Sequence, residues 1–127
     1  MRKLEGFQRG INLGGWLSQG PLDKHHLDTF IVEDDIKKIA GCGADHVRLP
    51  LDYENVETEE GGDIEEGYRH IEDCISWCRK YNLNMVLDLH KTPGYIFDDQ
   101  DYSKDFFHNE ELQERFLNLW KKIISRF

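Results

Sequence analysis

Hydrophobic and polar positions along the chain fall into a pattern that occurs three times: a short apolar run, a polar loop, then a stretch with helical spacing. The apolar runs predict strands over residues 7–13, 45–49 and 84–89. Gly14-Gly15-Trp16 closes the first, Pro50 stops the second, and the third ends at His90 ahead of Pro93-Gly94. Residues 33–40 place Ile36, Ile39 and Ala40 on one helical face, and Gly41-Cys42-Gly43 supplies the break. Residues 68–81 carry Tyr68, Ile71, Cys74, Ile75 and Cys78 at helical spacing. A last helix runs from an Asn109 cap to Phe127, with Glu110 and Glu111 favourable at its positive end. Its predicted buried face is Leu112, Phe116, Leu119, Trp120, Ile123 and Phe127.

Strands that alternate with helices belong to a parallel sheet, because parallel strands need a crossover long enough to hold a helix. Three units are too few to close an eight-unit barrel. A doubly wound nucleotide fold lacks support, since neither GxGxxG nor GKS/T is present. With a helix running to Phe127, the chain reads as cut at a unit boundary.

The strands are apolar on one face only. Ile11 and Leu13, Val47 and Leu49, and Leu87 and Leu89 alternate with Asn12, with His46 and Arg48, and with Asp88 and His90. Period-two geometry sets those five polar residues on one side of the sheet, toward the carboxyl ends of the strands, where α/β folds place ligands. An Arg48–Asp88 ion pair that satisfies itself, or a sheet side facing water, accounts for the same pattern. The loops after the strands add Trp16, Tyr53, Tyr95, Phe97 and Tyr102, rings of the kind on which sugar C–H faces pack. The acidic stretches 57–66 and 98–101 fit no calcium-loop spacing and read as solvated charge.

Composition narrows the partners. Sixteen Lys+Arg against 25 Asp+Glu give a net charge of −9 over 127 residues, which repels a phosphate backbone and argues against nucleic acid. No apolar run reaches membrane-spanning length, so no membrane partner is expected. Residues 1–6 have no apolar segment of a secretory signal, which predicts a cytoplasmic chain or one released without a visible signal; a longer precursor leaves secretion open. Cys42, Cys74 and Cys78 are too few and wrongly spaced for a structural metal site, so no metal or cofactor is expected and the cysteines read as reduced core residues.

Three ordered motifs match a known family. Residues 10–16 (GINLGGW), 45–53 (DHVRLPLDY), and 86–95 (VLDLHKTPGY) resemble glycoside hydrolase family 5, above all its endoglucanase C-like cellulases. The resemblance implies a partial TIM (β/α)8 barrel, its first three parallel βα units, with residues 1–127 the N-terminal portion of the catalytic domain. It further implies retaining hydrolysis of β-1,4-linked glucans or related β-linked polysaccharides. Arg48 then matches the arginine that hydrogen-bonds the nucleophilic glutamate, and His90 the histidine lining the −1 sugar subsite. Asn12, Trp16, His90 and Tyr95 are the implied substrate contacts. The family's two catalytic glutamates follow strands four and seven, beyond Phe127; Asn109-Glu110 is a helix start and Asp88 lies too deep in its strand to replace either. The 127 residues are therefore expected to be inactive alone. A non-catalytic carbohydrate-binding remnant, and a half-barrel that self-associates through open sheet edges, are the alternatives.

Overall fold

The computed structural model describes residues 4–97, 99 and 105–127; Tyr102 and most of the acidic stretch 98–101 lie outside them. Its order is β1 (Gly10–Asn12), α1 (Lys24–Thr29), α2 (Glu33–Gly41), β2 (His46–Asp52), α3 (Glu65–Lys80), β3 (Asn84–Lys91) and α4 (Glu110–Arg126). The strands form one parallel sheet in the order β1-β2-β3. Val47, Leu49 and Leu51 point to the covered face and are fully buried with Ile36 of α2, Ile71 and Cys74 of α3, and Leu119 of α4. Of the apolar face expected in α4 only Leu119 and Ile123 are buried, while Phe127 is 41% exposed, and the other sheet face carries the polar groups together with the exposed Val86. Among the described residues no helix is long and apolar enough to cross a membrane.

Helix ends follow from local chemistry. Asn109 caps α4 by accepting from the N–H groups of Glu111 (3.0 Å) and Leu112 (3.2 Å). Helix α3 stops because Asn82 takes a left-handed conformation (φ 56°), letting Leu83 N–H reach the Cys78 carbonyl at 2.9 Å. It begins three residues before the expected start, with Glu65 and Glu66 in its first turn and Arg79 and Lys80 in its last, all favourable to its dipole. The six-residue α1 was not anticipated from periodicity; Asp23, which accepts from His26 N–H at 3.0 Å, was its signal.

Pro50 does not stop β2, which continues to Asp52. The Arg48 carbonyl accepts from Leu13 N–H (2.9 Å) and Asp52 N–H donates to the Leu17 carbonyl (2.8 Å), so these residues turn their backbone groups toward β1. Pro50, between them, turns the same way, past the end of β1 at Asn12, and its missing N–H costs no ladder bond with β3. Strand β1 is shorter than expected, three residues, because the segment before it is held by side chains instead.

That hold is Asp45. Its carboxylate accepts from His46 Nδ1 (2.7 Å), from Arg9 N–H (3.0 Å) and from Gln8 N–H (3.0 and 3.1 Å). The His46 bond first, then the backbone donors, hold the Asp45 carboxyl down at about 2, against an ordinary 3.8. A depressed folded-state value means the stabilisation is complete above pH 3.8 and lost as pH falls toward about 2. The melting temperature is expected to drop across that window, and Asp45→Asn, which keeps an acceptor but does not titrate, to flatten the drop; thermal melts at stepped pH measure both.

The acidic stretch 57–66 is solvated charge only in part: Glu59, Glu60, Glu65 and Glu66 are exposed, and Glu57 is not. Glu57 is 3% exposed and accepts from Arg115 Nε at 2.5 Å, while Lys122 meets Asp63 (2.7 Å) and Arg126 meets Glu65 (2.6 Å). Helix α4 is fastened to this loop by its basic side chains. Cys74 and Cys78 are buried as expected, whereas Cys42 is exposed at the end of α2.

Candidate functional site

Four of the five polar residues read from the strand faces meet on the uncovered face, Asn12 and His90 at or near the carboxyl ends of β1 and β3, Arg48 third of seven residues in β2 and Asp88 fifth of eight in β3. Arg48 donates through one terminal nitrogen to Asn12 Oδ1 at 2.5 Å and through the other to Asp88 Oδ2. His90 Nδ1 lies 3.1 Å from Asp88 Oδ2 and 3.2 Å from the Arg48 terminal nitrogen. One side chain from β1, one from β2 and two from β3 therefore form a continuous network across the uncovered face. Each is roughly a third or more exposed, since Arg48 keeps 38%, Asp88 32% and His90 33% of its side-chain surface in contact with water.

The sheet aims His90 by an irregularity. Strands β2 and β3 pair one to one up to Leu51 with Leu89, and then Asp52 pairs with Lys91. His90 is the extra residue, a β-bulge of the kind that redirects a side chain at a strand end. The bulge also turns Lys91 toward Glu54, with which it forms an ion pair, and over the ring of Tyr53 at 5.7 Å.

His46 leaves the group. It shares the face but sits at the opposite, amino-terminal end, bound to Asp45 and lying over Gly10, where an added Cβ would fall 2.1 Å from its Nε2. The structure does not bring Trp16 to the network either. Trp16 is 1% exposed, stacked on Trp77 at 6.3 Å, and its indole N–H donates to the Leu27 carbonyl at 2.8 Å. Its ring faces and its donor are spent inside the core.

Tyr95 lies beside the network. With Leu89, His90, Thr92, Phe106, Phe107 and Phe116 it lines a pocket of about 250 Å³. Its ring meets Phe106 at 5.6 Å and Phe107 at 5.7 Å. The buried Thr92 hydroxyl has no hydrogen-bond partner among the described residues. Phe97 is 74% exposed nearby in sequence. Sequence reading missed Phe106, Phe107, Lys91 and Glu54; two adjacent phenylalanines just ahead of the Asn109 cap were the available signal. Among the described residues no group of three or more His, Cys, Asp or Glu side chains is placed to hold a metal ion.

An arginine fixed by two partners, a histidine beside it and an aromatic wall present fixed donors and acceptors next to flat apolar faces. That combination suits a polyhydroxylated ligand. The family model for cellulase (glycosyl hydrolase family 5) matches residues 10–127. Cellodextrinase A of Ruminococcus flavefaciens is 50% identical over 127 residues, which are all of this chain and 38% of that protein. Endoglucanase C of Acetivibrio thermocellus is 47% identical over 124 residues, 95% of this chain and 36% of the relative. Among solved structures, a trimodular GH5_4 subfamily endoglucanase superposes with a TM-score of 0.76 at 25% identity, covering 96% of this chain and 23% of that one. A mutant form of Thermotoga maritima Cel5A in complex with cellobiose gives a TM-score of 0.69 at 22% identity, covering 95% and 38%. The three parallel units are those of a partial (β/α)8 barrel, and the chain spans little more than a third of the curated relatives just described.

Proposed function

For a chain that belongs to glycosyl hydrolase family 5, the cellulases, we propose the role of the N-terminal portion of a retaining endo-β-1,4-glucanase that hydrolyses O-glycosidic bonds in β-glucans. The observation that supports this most is the Asn12–Arg48–Asp88–His90 network across the uncovered face of the sheet. Retention takes two carboxyl groups about 5 Å apart, one protonating the leaving oxygen and the other attacking the sugar. In this reading both are supplied from beyond Phe127. Arg48, held by Asn12 and Asp88, then donates to the nucleophilic carboxylate and keeps it ionised, while His90 and Tyr95 contact the sugar beside it.

The experiment compares the 127-residue chain with the longer gene product on a soluble β-glucan. Hydrolysis with retained anomeric configuration by the longer protein and none by the chain is the expected result. Turnover by the chain that is abolished by mutating one of its own acids overturns it.

We also propose that the chain by itself associates with a second copy. Among the described residues β1 and β3 are the sheet's edges, and β3 offers eight residues of strand with one ladder partner. Such an edge templates further pairing, and the charge of −9 is screened beyond about 8 Å at physiological salt. Sedimentation at micromolar concentration is expected to give a dimer or larger species; a strictly monomeric, cooperatively folded chain refutes this.

A further inference from the structure

The Nδ1 atom of His90 has two neighbours with opposite demands. Asp88 Oδ2, 3.1 Å away, is a carboxylate oxygen facing a guanidinium and accepts hydrogen bonds. The Arg48 terminal nitrogen, 3.2 Å away, only donates. One ring nitrogen cannot serve both. Bearing a proton, Nδ1 donates to Asp88; bare, it accepts from Arg48. In the neutral ring the choice also fixes the far nitrogen, Nε2, as acceptor in the first case and donor in the second.

The surroundings favour the first. Arg48 already gives a hydrogen to the same Asp88 oxygen and, through its other terminal nitrogen, one to Asn12, so its plane is held without His90. A bare Nδ1 would set its lone pair against a carboxylate oxygen at 3.1 Å, a repulsion that no rotation of a hydrogen relieves. A protonated Nδ1 donates to that oxygen instead, and its one opposing neighbour is the Arg48 nitrogen, which already gives one of its two fixed hydrogens to the same oxygen. Asp88 and His90 stand two residues apart in β3, and with the bulge at His90 their side chains meet at 3.1 Å.

We propose that Asp88 is a positioning residue of this site: its carboxylate holds His90 as the Nδ1–H tautomer and Arg48 in its plane. His90 then presents a bare Nε2, which accepts a hydrogen bond from a ligand hydroxyl. That the hydroxyl belongs to a sugar rests on the function proposed above; the tautomer does not.

Long-range proton–nitrogen correlation spectra of the isotope-labelled chain, recorded in alkaline buffer on the neutral ring, report the tautomer directly. The expected result is His90 Nδ1 at a protonated, pyrrole-type position and Nε2 at a pyridine-type position. In Asp88→Ala the proton moves to Nε2 and Nδ1 accepts from Arg48. A wild-type His90 protonated on Nε2 overturns the proposal, as does an Nδ1–H tautomer that persists in Asp88→Ala. The wild-type spectrum decides even where the variant does not fold. Because the readout is spectroscopic and made on this chain, it stands apart from whether the longer protein cleaves glucans.

Discussion

Gly67→Ala is expected to destabilise the chain by about 3 kcal/mol, although alanine is the better helix former by about 1 kcal/mol. Gly67 lies in the first turn of α3, where a Cβ would fall 1.7 Å from the Asn55 carbonyl oxygen and 2.6 Å from its carbon. Retreat is blocked on the Asn55 side. That residue is 4% exposed, and its amide donates to the carbonyls of Leu17 (2.8 Å) and Asp52 (3.2 Å). Relief therefore means lifting the start of α3 from the loop that follows β2, with loss of buried contacts around Val56 and Tyr68. A fall in melting temperature on the order of 10 °C is the measurable outcome for a domain of this size. An unchanged or raised midpoint would show that helix propensity wins and that the close approach yields.

Arg48→Ala in the longer protein is expected to lower kcat about ten- to a hundredfold, with a smaller change in KM. The lost bond is charge-assisted, worth about 1.5–3 kcal/mol, and in the proposed role acts on the nucleophilic carboxylate, which must be ionised to attack and regains its charge as the glycosyl–enzyme bond breaks, rather than on the bound sugar. Arg48→Lys is not expected to restore the rate. A lysine offers one point charge, whereas Arg48 spans Asn12 and Asp88 through two different nitrogens and so has a fixed plane. Steady-state kinetics on a soluble β-glucan measures both; wild-type constants in Arg48→Ala remove Arg48 from the proposed role.

What the sequence made legible is whatever repeats or alternates. Period-two alternation put Asn12, Arg48, Asp88 and His90 on one face, and the helical stripes found Ile36, Ile71, Cys74, Leu119 and Ile123, all of which are buried. What it hid depends on partners distant in the chain. Pro50 looks like a terminator until the neighbouring strand is known to have ended beside it. Trp16 looks like a loop ring until α1, a helix too short for periodicity, arrives to take its N–H. Glu57 looks like solvated charge until Arg115, 58 residues on, reaches it. His46 has the right parity for the site, and only position along the strand excludes it.

The same separation of His46 from His90 divides the labour of the sheet. Asn84 pairs with His46 at one end of the ladder, and His90 is six residues further along β3. At about 3.3 Å per residue His90 lies roughly 20 Å from the Asp45 clamp, beyond the range at which substitutions usually couple, whereas Arg48 stands only two residues, about 7 Å, from His46. Changes at His90 and at the clamp therefore combine by simple addition, and changes at Arg48 and at the clamp do not. An engineer can weaken or strengthen the clamp to set how much acid the fold withstands, and independently alter the far end of β3 to set what is recognised. A mutational library built on this chain factors into two smaller ones as long as Asn12 and Arg48, which lie between the ends, are left as they are.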